Sequence, residues 1–355
     1  MTTTPDTGPS DERIAPDLPE RTWAWTHDRF GGAEVLGRVE VDVPELDADQ
    51  VMIRTSATSM NAADRYQVRC PALAMRPIFG FRRPRRTIPG LDVTGTVAAV
   101  GDEVTHLAVG DRVLTETSGA WSGFTQAPAD EVVAAPDAIP LADAAALPVG
   151  GLTALQGLRD VGGVTPGSSV LVYGATGAVG SLAVQIAVAL GAEVTAVCAS
   201  DAAELVRSLG ARRIVDRSVV DGGTPAQRLA ADRTRFDVIF DVAGVETIRD
   251  RARLLAPDGT CVVVGAPSGG RILGPIRSLL GTMIGSRLVP GRFRSFVARL
   301  EADDHRTLVT GVEVGRRRPV IDERFGFDEL PRAFERFETV SKLGSILVED
   351  RAPDG

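Results

Sequence analysis

Cysteine is scarce in this sequence of 355 residues, and the three that it has, Cys70, Cys198 and Cys261, lie far apart. They form no CxxC pair, which excludes a disulfide framework and a structural zinc knuckle. No apolar run approaches the roughly 20 residues of a membrane span. The net charge is −8, whereas a protein that binds nucleic acid through its phosphate backbone is expected to be basic. We therefore expect neither a membrane nor a nucleic acid as partner.

The sequence is also poor in lysine, asparagine and histidine. Lys342 and Asn61 are the only residues of their types, while arginine is abundant, so the absence of a lysine at any position says little about function. His27, His106 and His305 have no metal-ligand partners in the sequence and are interpreted as ordinary surface or core residues. The first 20 residues are acidic and rich in proline and threonine, without the basic start and apolar stretch of a signal peptide. This indicates a disordered tail on a cytoplasmic protein.

The rest of the chain shows two kinds of sequence pattern, one after the other, and its length suits two domains. Up to about residue 148, short β-type runs alternate with glycine and proline, which is typical of a compact antiparallel β domain. The clearest of these runs are Val39–Val43, Val51–Thr55, Thr94–Val100 and Asp111–Leu114. After Pro166, strand-like and helix-like segments alternate, which indicates a parallel sheet with right-handed crossovers.

The last ~85 residues combine strand-like and helix-like patterns. From Arg271 to Leu300 the chain is apolar, rich in arginine and broken by glycine and proline. We expect it to be helical in parts, either as ordinary core or as the wall of a substrate pocket or interface. The tail then predicts a strand at Val320–Ile321, a helix over Asp328–Thr339 and a final strand over Ser345–Val348.

One motif carries chemistry directly. The run from Ser169 to Gly180 reads SVLVYGATGAVG, which is a buried strand, a glycine-rich turn and the start of a helix near Ala178. In that order, Gly177 lets the backbone approach a pyrophosphate, and Gly180 allows close packing of helix and strand. The free N–H groups of the helix then face the phosphates. The sequence therefore predicts a dinucleotide site, although an alanine stands where the strict pattern has its first glycine.

Several further motifs occur together with this one, in a characteristic order. They are Asn61–Asp64 (NAAD), Ile88–Val97 (IPGLDVTGTV), Val109–Val113 (VGDRV), Ala144–Pro148 (AAALP), Leu152–Ala154 (LTA), Phe236–Asp241 (FDVIFD) and Gly344–Leu347 (GSIL). With them the chain resembles the quinone-oxidoreductase-like, zinc-independent medium-chain dehydrogenases/reductases. The resemblance implies an α/β protein in which a Rossmann doubly wound parallel-sheet domain is inserted into a GroES-like, β-rich catalytic domain.

The resemblance also implies domain limits and an assembly. We expect a disordered tail over 1–21, a GroES-like catalytic domain formed by 22–149 and 300–355, and a Rossmann NAD(P)-binding domain over 150–299. The implied assembly is a homodimer.

A zinc ion is not expected. At the turn where zinc-dependent relatives carry Gly-His-Glu, this chain has Gly90, Leu91 and Asp92, and Asp64 occupies the region of their cysteine ligand. Tetrahedral zinc needs thiolate or imidazole donors, and without a Lewis acid a simple alcohol is hard to oxidise. Hydride addition to a quinone or enone is easier because the charge spreads over the conjugated system. The sequence therefore predicts NAD(P)H-dependent reduction of a small conjugated carbonyl compound, with a nucleotide-binding scaffold or sensor without redox turnover as the alternative.

The resemblance assigns roles residue by residue. Asn61 and Tyr66 lie on the catalytic-domain face towards the nicotinamide, where Tyr66 either donates a hydrogen bond or proton to the substrate or only shapes the rim. Asp64 and Asp92 are expected to be structural, paired with backbone or arginine. The residues expected to contact the cofactor are Thr153, Gly174, Ala175, Thr176, Gly177, Ala178, Val179, Gly180, Ser200, Asp201, Arg217, Val242 and Gly265.

The choice between the two cofactors stays open. Asp201 falls where several relatives place an arginine that grips the 2′-phosphate of NADPH, and an acid there normally binds the free ribose of NAD. Arg217, however, stands where relatives often have a residue facing that phosphate, and Ser200 remains. The habit of the family favours NADP(H) over NAD(H).

A cluster of arginines lies between Asn61 and Gly90. Its members are Arg76, Arg82, Arg83, Arg85 and Arg86, interleaved with Phe79 and Phe81. Charge runs of this kind are usually solvated faces. The alternative is a segment that draws in an acidic or phosphopantetheine-bearing substrate.

Overall fold

The computed structural model describes residues 18–71, 73–218, 223–264, 291–339 and 343–350. The strands are β1 (Arg21–Thr26), β2 (Gly37–Asp42), β3 (Gln50–Ser59), β4 (Asp92–Val100), β5 (Arg112–Glu116), β6 (Phe124–Pro128), β7 (Val133–Ala134), β8 (Ser169–Tyr173), β9 (Glu193–Cys198), β10 (Arg213–Asp216), β11 (Phe236–Asp241), β12 (Leu255–Val263), β13 (Arg292–Ser295), β14 (Ile321–Gly326) and β15 (Ser345–Glu349). The helices are α1 (Ala62–Arg69), α2 (Arg76–Phe79), α3 (Leu141–Ala144), α4 (Pro148–Gln156), α5 (Ala178–Ala189), α6 (Ala203–Ser208), α7 (Pro225–Ala231), α8 (Ile248–Leu254), α9 (Ala302–Glu313) and α10 (Leu330–Glu338).

Six parallel strands form one sheet, in the order β10-β9-β8-β11-β12-β13. Val170, Leu171 and Val172 of β8 are fully buried, as expected for a central strand that is covered on both faces. On one side β8 pairs with β9, and on the other with β11, so the strand order reverses at this point. In such sheets a crevice opens beyond the carboxyl ends of the two strands at the reversal.

Seven strands form a second, mixed sheet, in the order β14-β15-β3-β4-β5-β7, with β6 also paired to β3. Strands β14 and β15 are parallel to each other, and the remaining pairs are antiparallel. The last strand of the chain, β15, therefore lies between β14 and β3. Beside this sheet, β1 and β2 form an antiparallel hairpin, and Trp121 and Phe334 are buried in the neighbouring core.

Most predicted elements are present. Strands predicted at Val51–Thr55 and Thr94–Val100 correspond to the longer strands β3 and β4, and the terminal helix and strand correspond to α10 and β15. Among the described residues, no helix is long and apolar enough to cross a membrane. The predicted tail falls almost wholly on residues 1–17, outside the described residues, and the domain limits stay a prediction.

The prediction of helix in parts of Arg271–Leu300 is tested only for its last ten residues, which contain no helix. Residues 291–300 contain the strand β13, which pairs in parallel with the last residues of β12. Backbone hydrogen bonding to a neighbouring strand decides the conformation here, and the side-chain pattern of a four-residue segment does not show it. Residues 271–290 lie outside the described residues.

Candidate active site

The glycine-rich turn joins β8 to α5 at the edge where the strand order reverses. Gly174 has φ +76°, a left-handed conformation that favours glycine. A Cβ atom on Gly180 would lie 2.0 Å from the Gly174 carbonyl oxygen, so the helix can approach the turn only with glycine at that position. Ala175, which replaces the first glycine of the strict pattern, is fully buried within the turn.

Gly177 differs from the other glycines of the turn. It precedes α5 with φ −76° and ψ 175°, which any residue adopts, and no side chain caps the helix among the described residues. A Cβ atom there would meet no protein atom closer than the Gly174 carbonyl oxygen, at 3.8 Å. The protein itself therefore does not require glycine here. The N–H groups of Ala178, Val179 and Gly180 begin α5 and have no acceptor four residues back within the helix, which suits a pyrophosphate at the helix N-terminus.

A cavity of about 320 Å³ opens beside this turn. It is lined by Tyr173, Gly174, Thr176, Val197, Cys198, Arg217, Thr224, Pro225, Ala243, Val245 and Glu246. These residues follow or end β8, β9, β10 and β11, so the cavity lies at the carboxyl edge of the parallel sheet. Its volume suits one half of a dinucleotide.

The structure separates the two residues proposed to read the ribose. The Arg217 N–H donates to the Cys198 carbonyl oxygen over 2.7 Å, which holds Arg217 at the end of β9, and Arg217 is one of the residues that line the cavity. Asp201 is exposed in a short turn before α6 and is not among the lining residues. Ser200 donates a hydrogen bond to the Asp216 carboxylate. No sequence motif indicated Asp216, whose position beside Cys198 follows from strand register.

The remaining cofactor candidates lie around the same edge. The Val242 N–H donates to the Tyr173 carbonyl oxygen over 3.2 Å, which links the ends of β11 and β8. Thr153 lies in the middle of α4, a helix that packs against α5. Gly265 lies outside the described residues.

On the catalytic side, Asn61 and Asp92 form the centre of a buried polar cluster. Asp92 begins β4, and its Oδ2 accepts hydrogen bonds from the Ser59 hydroxyl over 2.5 Å and from the Asn61 amide over 2.8 Å. Its Oδ1 accepts from the Val149 N–H, over 2.9 Å, in the first turn of α4. Thr153 follows Val149 by about one helical turn. The cluster thus ties the catalytic face to the helix that carries the candidate nicotinamide support.

Asp64 completes this cluster from α1. Asn61 precedes the helix, and its N–H donates to Asp64 Oδ2 over 2.7 Å, an arrangement that fixes the start of α1. Asp64 and Asp92 are both fully buried. Their expected structural role agrees with these contacts, but their partners are backbone, amide and hydroxyl groups, not arginine.

A third acid, the partly buried Glu116, was not indicated by the sequence pattern. It lies directly opposite Asp92 in the antiparallel register of β4 and β5, so the two side chains share one face of the sheet. Burial raises the pKa of Asp92 to about 6. Burial and then the charges of Asp92 and Glu131 raise the pKa of Glu116 to about 7, and burial raises the pKa of Asp64 well above its usual range.

No arginine or lysine among the described residues forms an ion pair with any of these three carboxyl groups. Three carboxylates without a cation do not all ionise together in a buried site. The cluster therefore retains a proton near neutral pH. Glu116 could be found only from the pairing of β4 with β5, and no local sequence pattern shows which residues of two strands lie opposite each other.

Tyr66 lies on α1, the helix that Asn61 precedes, but in different surroundings. Its half-buried ring packs with Cys70, Met75, Phe30 and Phe79 in a small apolar cluster. The Asn61 side chain instead bonds to Ser59 and Asp92. The two candidate catalytic residues thus lie within one short segment, with Asn61 in a polar environment and Tyr66 in an apolar one.

The donor set on the catalytic side does not fit zinc. Leu91 offers no donor atom, the Asn61 amide is a poor zinc ligand, and the carboxyl groups of Asp64 and Asp92 already accept hydrogen bonds. Within the described residues no three His, Cys, Asp or Glu side chains form a group that could hold a metal. The three histidines lie apart from this cluster, and burial lowers the pKa of His305 to about 4.

Comparison with known proteins gives two family matches and many relatives. Residues 47–137 match the alcohol dehydrogenase GroES-like domain, and residues 178–302 match the domain described as zinc-binding dehydrogenase. The chain is 30% identical to the chloroplastic NADPH-dependent alkenal/one oxidoreductase of Arabidopsis thaliana, over 93% of this chain and 80% of that protein. It is 29% identical to the quinone oxidoreductase of Mus musculus, over 86% and 91%.

A solved structure agrees with these sequence matches. The quinone oxidoreductase of Pseudomonas syringae pv. tomato superimposes with a TM-score of 0.77 at 27% identity, over 92% of this chain and 99% of that one. The fold expected from the sequence, a GroES-like part combined with a Rossmann sheet, is confirmed.

Proposed function

The chain belongs to the quinone-oxidoreductase-like medium-chain dehydrogenases/reductases, and we propose that it reduces quinones or enones with NADPH. The observation that carries this proposal is the hydrogen-bonded junction of Asn61, Asp92 and Val149. It joins the face proposed for the substrate to the helix proposed to support the nicotinamide. The names of the relatives above point to the same two substrate classes.

Each of the proposed cofactor residues binds a different part of NADPH. The N–H groups of Ala178 to Gly180 bind the pyrophosphate in the space left by Gly177, and Arg217 binds the 2′-phosphate. Thr153 supports the nicotinamide, which, when bound in its reduced form, supplies a hydride to the β-carbon of the conjugated carbonyl. NADPH is preferred to NADH in this proposal because Arg217, and not Asp201, is among the residues that line the cavity beside the glycine-rich turn.

The substrate side needs to orient the carbonyl group and supply a proton. Asn61 is held by Asp92 and Ser59 so that it presents one fixed amide to the cleft. Tyr66 donates a hydrogen bond, and then a proton, to the substrate oxygen. The developing negative charge is spread over the conjugated system, so these neutral donors suffice without a Lewis acid.

The reaction is tested by following NADPH and NADH oxidation with a panel of quinones and enones, and with a saturated ketone as control. We expect turnover with the conjugated compounds and none with the ketone. Tight NADPH binding without oxidation by any member of the panel would instead favour a nucleotide-binding scaffold or sensor.

Zinc independence forms part of the proposal. Purified protein should contain far less than one zinc per chain, and dialysis against a chelator should leave its activity unchanged. Metal analysis near one zinc per chain, with loss of activity on its removal, would contradict it.

We further propose that the protein acts as a cytoplasmic homodimer. Cell fractionation tests the location, since the Arabidopsis relative is chloroplastic by its name. The mass in solution tests the assembly.

A further inference from the structure

A strongly basic segment lies beside the candidate active site. Between Arg65 and Leu91 the sequence holds seven arginines and no acidic residue, in a chain whose net charge is −8. Residues 76–86, which contain five of these arginines, are called the arginine loop below. The catalytic roles proposed above do not use it.

The arginine loop has a compact fold of its own. Gly80 turns the chain with φ +123°, and a Cβ atom there would lie 2.0 Å from the Arg83 carbonyl oxygen. The Arg85 N–H closes the turn by donating to the Phe79 carbonyl oxygen over 2.8 Å. Arg76 donates to the Phe81 carbonyl oxygen over 2.8 Å, and its guanidinium lies 4.3 Å from the centre of the Phe30 ring. The loop backbone and the side chain of Arg76 are therefore held in defined places.

The outer arginines of the loop are left without acidic partners. The side chains of Arg82, Arg83, Arg85 and Arg86 are exposed, and none forms an ion pair with another described residue. The nearest acids in the sequence, Asp64 and Asp92, are fully buried in the polar cluster. Clustered guanidinium groups repel one another, so an anion is the partner that this surface lacks.

A cavity of about 430 Å³ lies under two of these arginines. It is lined by Gln67, Ile78, Phe79, Pro84, Arg85 and Arg86. Ile78, Phe79 and Pro84 give this lining its apolar part, and Arg85 and Arg86 give it positive charge. Gln67 follows the candidate catalytic Tyr66, and Phe79 packs in the same apolar cluster as Tyr66. The buried Oε1 of Gln67 has no hydrogen-bond partner within the described residues.

We propose that this cavity binds the far end of the substrate, which is an apolar enone chain that terminates in a phosphate group. The phosphate binds between Arg85 and Arg86, because guanidinium groups match phosphate oxygens in bidentate geometry. The chain lies along Ile78, Phe79 and Pro84 and leads the conjugated carbonyl towards Tyr66. This inference rests on the proposed reductase function, to which it adds the substrate class.

The test compares two enones of the same chain length, one ending in a phosphate monoester and the other in a hydroxyl. Wild type is compared with R85Q/R86Q, which removes the arginines that line the cavity. The matched control is R82Q/R83Q, which removes the same charge from the same loop outside the cavity. For the phosphorylated enone, we expect kcat/KM of R85Q/R86Q to fall by about tenfold or more, since charge-assisted hydrogen bonds are lost. The control should lose less than about threefold, and the hydroxyl-ended enone should react equally with all three proteins.

Equal losses in both double variants would show that only general attraction by positive charge is at work, and would overturn the inference. So would a wild type that reduces both enones at the same rate. A third ligand is the phosphorylated enone with its double bond saturated, which cannot be reduced at that bond. Its binding, measured by calorimetry, tests the phosphate site separately from the reductase function because it needs no turnover. If that ligand binds wild type and not R85Q/R86Q while no enone is reduced, the reductase function fails and the phosphate site stands.

Discussion

At Gly177 a methyl group would meet no protein atom within 3.8 Å, whereas at Gly180 it would lie 2.0 Å from a backbone oxygen. The two glycines of this turn are therefore required for different reasons. Gly180 is required by the packing of the protein itself, and Gly177 leaves room for the proposed ligand. Substitutions at Gly180 damage the turn and cannot report on binding alone. Gly177 is the position where binding and folding can be separated.

We expect Gly177→Asp to fold like wild type and to lose about a hundredfold or more in NADPH affinity, because its carboxylate meets the pyrophosphate at the helix N-terminus. Gly177→Ala is the matched control, and its loss should be smaller because it adds bulk without charge. Cofactor titration and thermal unfolding measure the two properties. Unchanged affinity in the aspartate variant would remove the phosphate-binding interpretation of the turn.

Arg217 and Asp201 offer a second pair for comparison. Arg217→Ala should weaken NADPH binding by about tenfold and leave NADH binding unchanged, since the guanidinium at this partly solvated edge contributes about 1.5 kcal/mol to binding a 2′-phosphate. Asp201→Ala should leave the ratio of the two affinities as it is, because its side chain is exposed away from the cavity. Dissociation constants for both cofactors decide the matter. A changed ratio in Asp201→Ala alone would favour the carboxylate as the ribose ligand.

Among the elements, α4 depends on a contact that its own sequence does not show. The Val149 N–H in its first turn donates to Asp92 at the start of β4, and Asp92 also accepts from Asn61 and Ser59. Asp92→Ala removes the acceptor of three hydrogen bonds, those donated by Ser59, Asn61 and the Val149 N–H. We expect it to lower the free energy of unfolding by about 3 kcal/mol, against about 1 kcal/mol for Ser59→Ala, which removes one donor.

Chemical denaturation of both variants measures this difference. The same Asp92→Ala protein should also show a lower kcat, because α4 carries Thr153 and loses its link to the catalytic face. Equal destabilisation by the two substitutions would mean that Asp92 does not join these elements.

Predictability also differs among elements. The run from Ser169 to Gly180 could be interpreted from the sequence because strand, turn and helix follow one another, and each has a local pattern. Glu116 could not be found in this way, since its position beside Asp92 depends on the register of two strands. The same holds for β13, whose conformation depends on β12. Which of Arg217 and Asp201 lines the cavity could not be predicted either, because it depends on the path of the chain after β10.

For the whole molecule, the buried acids make stability depend on pH. The pKa of Glu116 is raised to about 7 in the folded chain. Between the unfolded pKa and this value, the folded chain retains a proton that the unfolded chain releases, so stability falls as pH rises. Below the unfolded pKa the side chain is protonated in both states, and the effect vanishes.

Glu116→Gln removes the ionisation while keeping the shape of the side chain. We expect the variant to be more stable than wild type by about 2 kcal/mol near pH 8 and equally stable near pH 4. Denaturant unfolding at both pH values tests this. The same gain at both pH values would point to packing or hydrogen bonding instead of charge.

The position of β15 has a consequence for the order in which the protein is completed during synthesis. All six strands of the parallel sheet lie between Ser169 and Ser295, so that sheet has its full set of strands well before the chain ends. The mixed sheet begins much earlier, with β3, but it lacks β15, which pairs with β3 on one side and β14 on the other, until residue 349 has been made. The ribosome therefore makes the first strands of the mixed sheet early and its inner strand β15 last. Until β15 has been made, β3 has an unpaired edge along its last residues, Ala57 to Ser59.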